Sequence, residues 1–422
     1  MRIRLATIAL YVSIFLLPWQ TRLIFETLTI SGEPTQFGVL AISAVEVLIV
    51  TAYLLRGQAH HSPEAGKILK ALYMVLGIGF FSLTWGRYSD VGWFQMIHLL
   101  SAVFLFSLVL DRRTNIKKVV LAFTSGLLIP SGLGIYQAIV GTSGASTLLG
   151  LASKDAATLG VAVVETDPGR MLRAYGSFPH PNIFGGYLAA SLIMLAWVSR
   201  FIRERWQLIA LSVPVVILSS TLIMTFSRGA WLAMIASGLV LIGLMLLQRK
   251  MPPSRAIPLF TLGLVTILIT LGVFHNQLIS RFNPELSIEA TSIEERASQY
   301  ASFNDVFFSS SLIGVGPGAY VFQLVDIDPG HPAWSYQPIH NAILLIMAEI
   351  GILGWLVALR WVVLMDKQSH VAWRTPNGAF ALALGTTILV VSLFDHYPWS
   401  LWSGIALSAL IFAVITRWSL DT

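Results

Sequence analysis

RAYGSFPHPNIFGGYLAASLIMLAWVSR, residues 173–200, joins a dense polar cluster to a long apolar run. Arg173, His180 and Asn182, with Pro179 and Pro181, crowd against the run from Ile183 to Val198. Pro181 followed by Asn182 is a helix-start signal, with Asn182 a plausible N-cap. The run behind it approaches the roughly 20 apolar residues that cross a bilayer. A charged cluster at that boundary is costly unless something polar docks there. The fold therefore reads as a membrane helix entered through a polar gate.

The same pattern recurs along the chain. Mean hydropathy is +0.74, and 55% of the 422 residues are hydrophobic against 11% charged. Those values belong to a polytopic membrane protein rather than a globular one. Twelve apolar segments are expected, at about 5–20, 37–55, 68–86, 91–110, 117–139, 182–199, 207–225, 229–247, 256–274, 340–364, 376–394 and 399–416. The first follows Arg2 and Arg4 but has no small-residue cleavage site, so it is expected to be a retained span. The expectation is an all-α polytopic protein, a single transmembrane domain over residues 1–422 with about 12 helices.

Charge orients it. Of 27 lysines and arginines, eight lie in one set of connections: Arg22, Arg87, Lys154, Arg170, Arg173, Arg228, Arg281 and Arg296. All the others fall in the alternate set, which the positive-inside rule makes cytoplasmic, together with both termini. The net charge of +6 is thus topology information, and a nucleic-acid partner is not expected. Cysteine is absent, which excludes disulfides and thiolate metal sites. Two long connections, 140–181 and 275–339, belong to the external face. The second is expected to be partly helical and to cap a site, because connections of that length usually have a task.

Four polar groups reach that face. The first is Arg173 with His180 and Asn182. The second is Ser227-Arg228-Gly229, in a tight turn between two spans. Its arginine either snorkels to headgroups or offers a guanidinium fork suited to phosphate. The third combines Glu294-Glu295-Arg296 with Gly314, Gly316 and Gly318. Arg296 can simply pair with a glutamate on its own helix, and the glycines permit tight turns or close approach of a ligand. They do not make a phosphate loop, since no Lys-Ser/Thr follows. The fourth is His340-Asn341, opening the tenth segment. A histidine at a helix N-terminus is biased towards the neutral form, which a general base requires. Glu349 lies nine residues on, near the opposite helix face, and reads as an interhelical hydrogen bonder. Asp395-His396-Tyr397-Pro398-Trp399 reads as an interface anchor. His331, His340 and His396 share no i, i+3 or i+4 spacing, so no metal site is expected.

The ordered set resembles the O-antigen ligase and polymerase superfamily of bacterial envelopes. The marks are Arg173 with Gly-x-Phe-x-His-Pro-Asn ending at Asn182, then Ser-Arg-Gly at 227–229. Gly-x-Gly-x-Gly at 314–318 and His-Asn-x-x-Leu with Glu-x-Gly-x-x-Gly across 340–354 complete it. The resemblance covers about 170–400. It implies glycosyl transfer on the periplasmic face of the bacterial inner membrane, from an undecaprenyl-pyrophosphate-linked glycan, with no metal or other cofactor. In that picture Arg173, Arg228 and Arg296 clamp the pyrophosphate, with Arg281 a rival to Arg296. His340 is the base, and His180, Asn182 and Asn341 support the site. A single displacement would invert the anomeric centre. The preferred expectation is a ligase moving O-antigen to a lipid A–core sugar hydroxyl; the alternatives are a polymerase or a lipid-linked glycan transporter.

Overall fold

The computed structural model describes residues 1–166, 169–249, 256–281 and 287–421. It is a helical bundle, with each expected apolar segment containing helix. The chain begins with α1 (Arg2–Leu16), a hairpin of β1 (Arg22–Ile30) and β2 (Glu33–Ser43), then α2 (Ala44–Arg56), α3 (Pro63–Leu83) and α4 (Ser89–Leu110). Next, α5 (Ile116–Gly126) and α6 (Leu128–Val140) join into one apolar helix. The 140–181 connection holds two small antiparallel pairs, β3 (Thr142–Ser143) with β4 (Lys154–Asp155) and β5 (Val163–Thr166) with β6 (Gly169–Leu172). Then follow α7 (Pro181–Ser199), α8 (Arg205–Met224), α9 (Arg228–Leu247) and α10 (Ile257–Val273). The large connection contains α11 (His275–Arg281), α12 (Ser287–Ser309) and α13 (Tyr320–Ile327). The chain ends with α14 (Ala342–Ala372), α15 (Pro376–Phe394), the single turn α16 (Tyr397–Ser400) and α17 (Trp402–Leu420).

Among the described residues, nine helices are long and apolar enough to cross a membrane, or ten if α10 and α11, bent by 80°, count as one span. Twelve were expected. Two of the missing spans lie at the start, where α1 has 15 residues and α2 only 13, and the third is α10, whose 17 residues pass only together with α11. The hairpin takes the front half of the expected 37–55 segment. Its cause is local: Ser31 and Gly32 both have positive φ, at 53° and 81°, the two-residue turn that matches the twist of paired strands. The flanking strand, Arg22–Ile30, is rich in apolar and β-branched residues.

Helix starts follow from capping chemistry. Ser43 and Glu46 form a reciprocal capping box at α2, and Ser62 with Pro63 opens α3. At the centre is α7, with 89% of its membrane window buried. A helix apolar all round must be enclosed, and α5, α8, α9, α15 and α17 pack about it. Two glycines make the closest approaches possible. A Cβ on Gly186 would lie 2.0 Å from the Tyr397 hydroxyl, and one on Gly185 would lie 2.7 Å from Ala230. By contrast α9 turns Leu232, Ile235, Leu239 and Ile242 outward, as lipid contact allows.

The basic connections meet at one end of the bundle. Arg112 N–H donates to His60 O, Arg113 to Gln58 O, Gln248 to Trp373 O, and Arg200 to Asn377. The starts of α7, α9 and α14 and the ends of α8 and α15 gather at the other end.

Candidate active site

The polar end of α7 is tied down by its own residues. His180 Nδ1 accepts the Asn182 backbone N–H at 3.1 Å, so the histidine is the helix cap. Arg173, buried, donates from Nε to Thr225 O at 2.7 Å and from Nη2 to Asn182 Oδ1 at 2.8 Å. Asn182 Nδ2 in turn donates to Asp395 Oδ2 at 3.0 Å. The sequence suggested Asn182 as the cap; the structure gives that task to His180 and makes Asn182 a bridge.

The turn between α8 and α9 brings the second arginine. Phe226 adopts φ +47°, and Ser227 caps α9 by accepting from Ala230 N–H. Arg228 Nη1 donates to Arg281 O at 3.2 Å, and Arg281 Nη2 to Phe226 O at 3.4 Å. Arg296 comes from α12. Arg173, Arg228, Arg281 and Arg296 line one cavity of about 900 Å³, together with Arg170, His180, Asn182, His340 and Asp395. The structure thus brings the arginines expected from sequence to one cavity and places both Arg281 and Arg296 in its lining rather than choosing between them. Residues 282–286 and the side chain of Glu294 lie outside the described residues.

In the same cavity region, Asn341 caps α14 by accepting from Ile343 and Leu344 N–H at 3.1 Å each. His340 precedes it, half-buried, its Nδ1 2.7 Å from Gln299 Oε1. Its ring lies 5.1 Å from that of His396. Burial pushes the His340 imidazole below its ordinary value; Asp395 opposes this and Arg296 adds to it. Burial, reinforced by Arg173, takes His180 down to about 3. Burial likewise takes His396 down to about 4. Burial works to raise the Asp395 carboxyl, yet the facing His396, His340 and His180 and the Asn182 hydrogen bond hold it below the usual carboxylate range. That region therefore presents neutral imidazoles around one carboxylate near pH 7.

Two features change their reading. Asp395 and Tyr397 line the cavity and His396 is buried beside it, so the 395–399 segment is part of the site and more than an interface anchor. His340, Asp395 and His396 each offer a ligand atom, all within 4.8 Å of one another. Chain spacing gave no such group; the fold assembles one from the start of α14 and the end of α15. The signal available in the sequence was a polar Asp-His pair closing an apolar span at the same face. Gln299 carried no signal at all.

The glycines are structural. Gly314 and Gly351 have φ of +78° and +68°, and the backbones of 312–316 and 348–352 cross there. A Cβ on Gly314 would meet Glu349 O at 2.2 Å. Glu349 holds the crossing as expected, its Oε2 accepting from Gly318 N–H at 2.8 Å and Trp399 Nε1 at 2.6 Å.

Residues 213–359 match the family model described as O-antigen ligase. That stretch is similar to the O-antigen ligase family. A comparison with curated proteins found no match. The O-antigen ligase match runs from α8 into α14 and takes in Arg228, Arg281, Arg296 and His340. Arg173, Asn182 and Asp395 lie outside it, and tertiary contacts bring them to the same cavity.

Proposed function

We propose that this protein is a membrane glycosyltransferase that moves a glycan from an undecaprenyl-pyrophosphate carrier to a sugar hydroxyl of lipid A–core. The reading places it in the bacterial inner membrane, termini cytoplasmic and cavity periplasmic. One observation carries it: Arg173, Arg228, Arg281 and Arg296 line the same cavity as His340, whose imidazole is pushed below its ordinary value by burial. Displacing pyrophosphate builds negative charge on the leaving oxygen, and preorganised guanidinium groups stabilise it. Arg173, Arg228 and Arg296 are assigned to that clamp. His340 takes the proton from the attacking hydroxyl, a role worth about 10²–10⁴ in rate. Attack opposite the leaving group inverts the anomeric carbon.

The reaction is assigned without a metal. The arginines supply the positive charge that a divalent cation would bring. Both oxygens of Asp395 are already engaged, by Asn182 Nδ2 and by the His396 N–H at 2.8 Å.

Purified protein, a synthetic undecaprenyl-pyrophosphate glycan and lipid A–core test the reading. Transfer that survives a chelator and is abolished in His340→Ala is the expected result. A chelator-sensitive reaction restored by zinc would overturn the metal-free assignment. A deletion strain separates ligase from polymerase: loss of a ligase leaves bare core with carrier-linked polymer, whereas core bearing a single repeat would make the protein a polymerase.

A further inference from the structure

We infer that Gln299 is a positioning residue that fixes the tautomer of His340, leaving its Nε2 free to act as the base. This rests on the base role proposed for His340.

Gln299 Oε1 faces two nitrogens of the same residue, the His340 backbone nitrogen at 3.3 Å and Nδ1 at 2.7 Å. A backbone N–H only donates, so the amide atom facing it is oxygen rather than nitrogen. An amide oxygen only accepts, so Nδ1 carries the ring proton. The lone pair is then on Nε2. In many histidine bases a carboxylate performs this orientation and also raises the basicity of the ring. A neutral amide orients without raising it, which keeps the imidazole unprotonated near pH 7.

Gln299 also ties orientation to the donor site. It lies three residues after Arg296 on α12, so the two share one helix face. Docking α12 thus delivers a phosphate-binding cation and the orienting amide together. The groups facing His340 are Glu295 and Arg296 from α12, Asp395 and His396 from the end of α15, and His180 from the start of α7.

The test uses full-length protein labelled with ¹⁵N-histidine, the His340 signals being assigned by their loss in His340→Gln. Wild-type His340 is expected to show a protonated Nδ1 and an unprotonated Nε2. Gln299→Met should mix the tautomers and lower kcat by about tenfold, the scale of one lost neutral hydrogen bond, with donor KM little changed. Gln299→Glu should restore the tautomer and move the acidic limb of the kcat profile to higher pH, because a carboxylate stabilises the imidazolium. A protonated Nε2 in the wild type would overturn the inference whatever the activity. So would a Gln299→Met protein with the wild-type tautomer and an unmoved pH profile. Wild-type protein that transfers no glycan would sink the functional reading while the ¹⁵N signals still decide the tautomer.

Discussion

Arg173 donates from Nη2 to Asn182 Oδ1 at 2.8 Å, and the other end of the same amide donates to Asp395. One side chain therefore joins Arg173 to the Asp395 carboxylate that faces His340. The two bonds fix which end of the amide is oxygen, since a guanidinium cannot accept and a carboxylate cannot donate.

Asn182→Ala should release both partners. Removing a hydrogen bond to a charged group in a buried setting costs about 1–3 kcal/mol, so unfolding should occur at lower temperature and transfer should weaken. Asn182→Asp should be worse, because it sets a second carboxylate against Asp395. Thermal unfolding of the purified variants, with activity on the same samples, reads both effects. An Asn182→Asp protein as stable and active as the wild type would remove the bridge from the account.

Among the arginines, lysine should be a poor substitute. A guanidinium delivers two parallel hydrogen bonds to phosphate, and an ammonium acts as a point charge. Replacing Arg228 or Arg296 by alanine should lower kcat/KM by about a hundredfold, the scale of one lost charge-stabilising donor. Lysine should recover only part of that. Steady-state kinetics with donor varied makes the comparison, and full rescue by lysine would point to headgroup anchoring instead.

The pH profile should carry the mark of the cavity. His340 is shifted below its ordinary value of about 6.5. A base works above its pKa and fails as pH falls through it, so the acidic limb of kcat/KM, which reports the free enzyme, should lie below pH 6.5. Asp395 raises His340 and Arg296 lowers it. Asp395→Asn should therefore move the limb to lower pH, and Arg296→Gln should move it to higher pH. Shifts in the reverse directions would remove His340 as the titrating group.

Gly351→Ala should damage the fold rather than the chemistry. The residue has φ +68°, and a Cβ there would lie 2.3 Å from Leu312 O. Strain at a positive φ costs about 1–3 kcal/mol before the clash is counted. Lower yield of folded protein is expected, measured by size-exclusion chromatography and thermal unfolding, with no change in the pH profile of what survives.

Much of this protein was legible one residue at a time. Apolar runs of membrane length declare helices because hydrocarbon offers the backbone no other partner. Pro181 marks where a helix starts, and the alternation of basic connections sorts Arg173, Arg228, Arg296 and His340 onto one face. Those are local or additive properties, so order along the chain suffices. The hairpin at 22–43 was also local, in Ser31-Gly32, but an apolar strand of that length imitates half a span. What no local rule reaches is which side chains meet within the polar face. Gln299 to His340, Asn182 to Asp395, and Arg281 to Arg228 are contacts across 41, 213 and 53 residues. Their distances are set by how α7, α12 and α15 pack, and hydrogen bonds lose their value within a few tenths of an ångström. The sequence by itself determined that this is a membrane bundle with a polar face that carries a few arginines and a histidine. Tertiary packing alone decided that Arg173, Arg228, Arg281 and Arg296 share one cavity, that Asp395 stands inside it, and that an amide from the large loop orients the histidine.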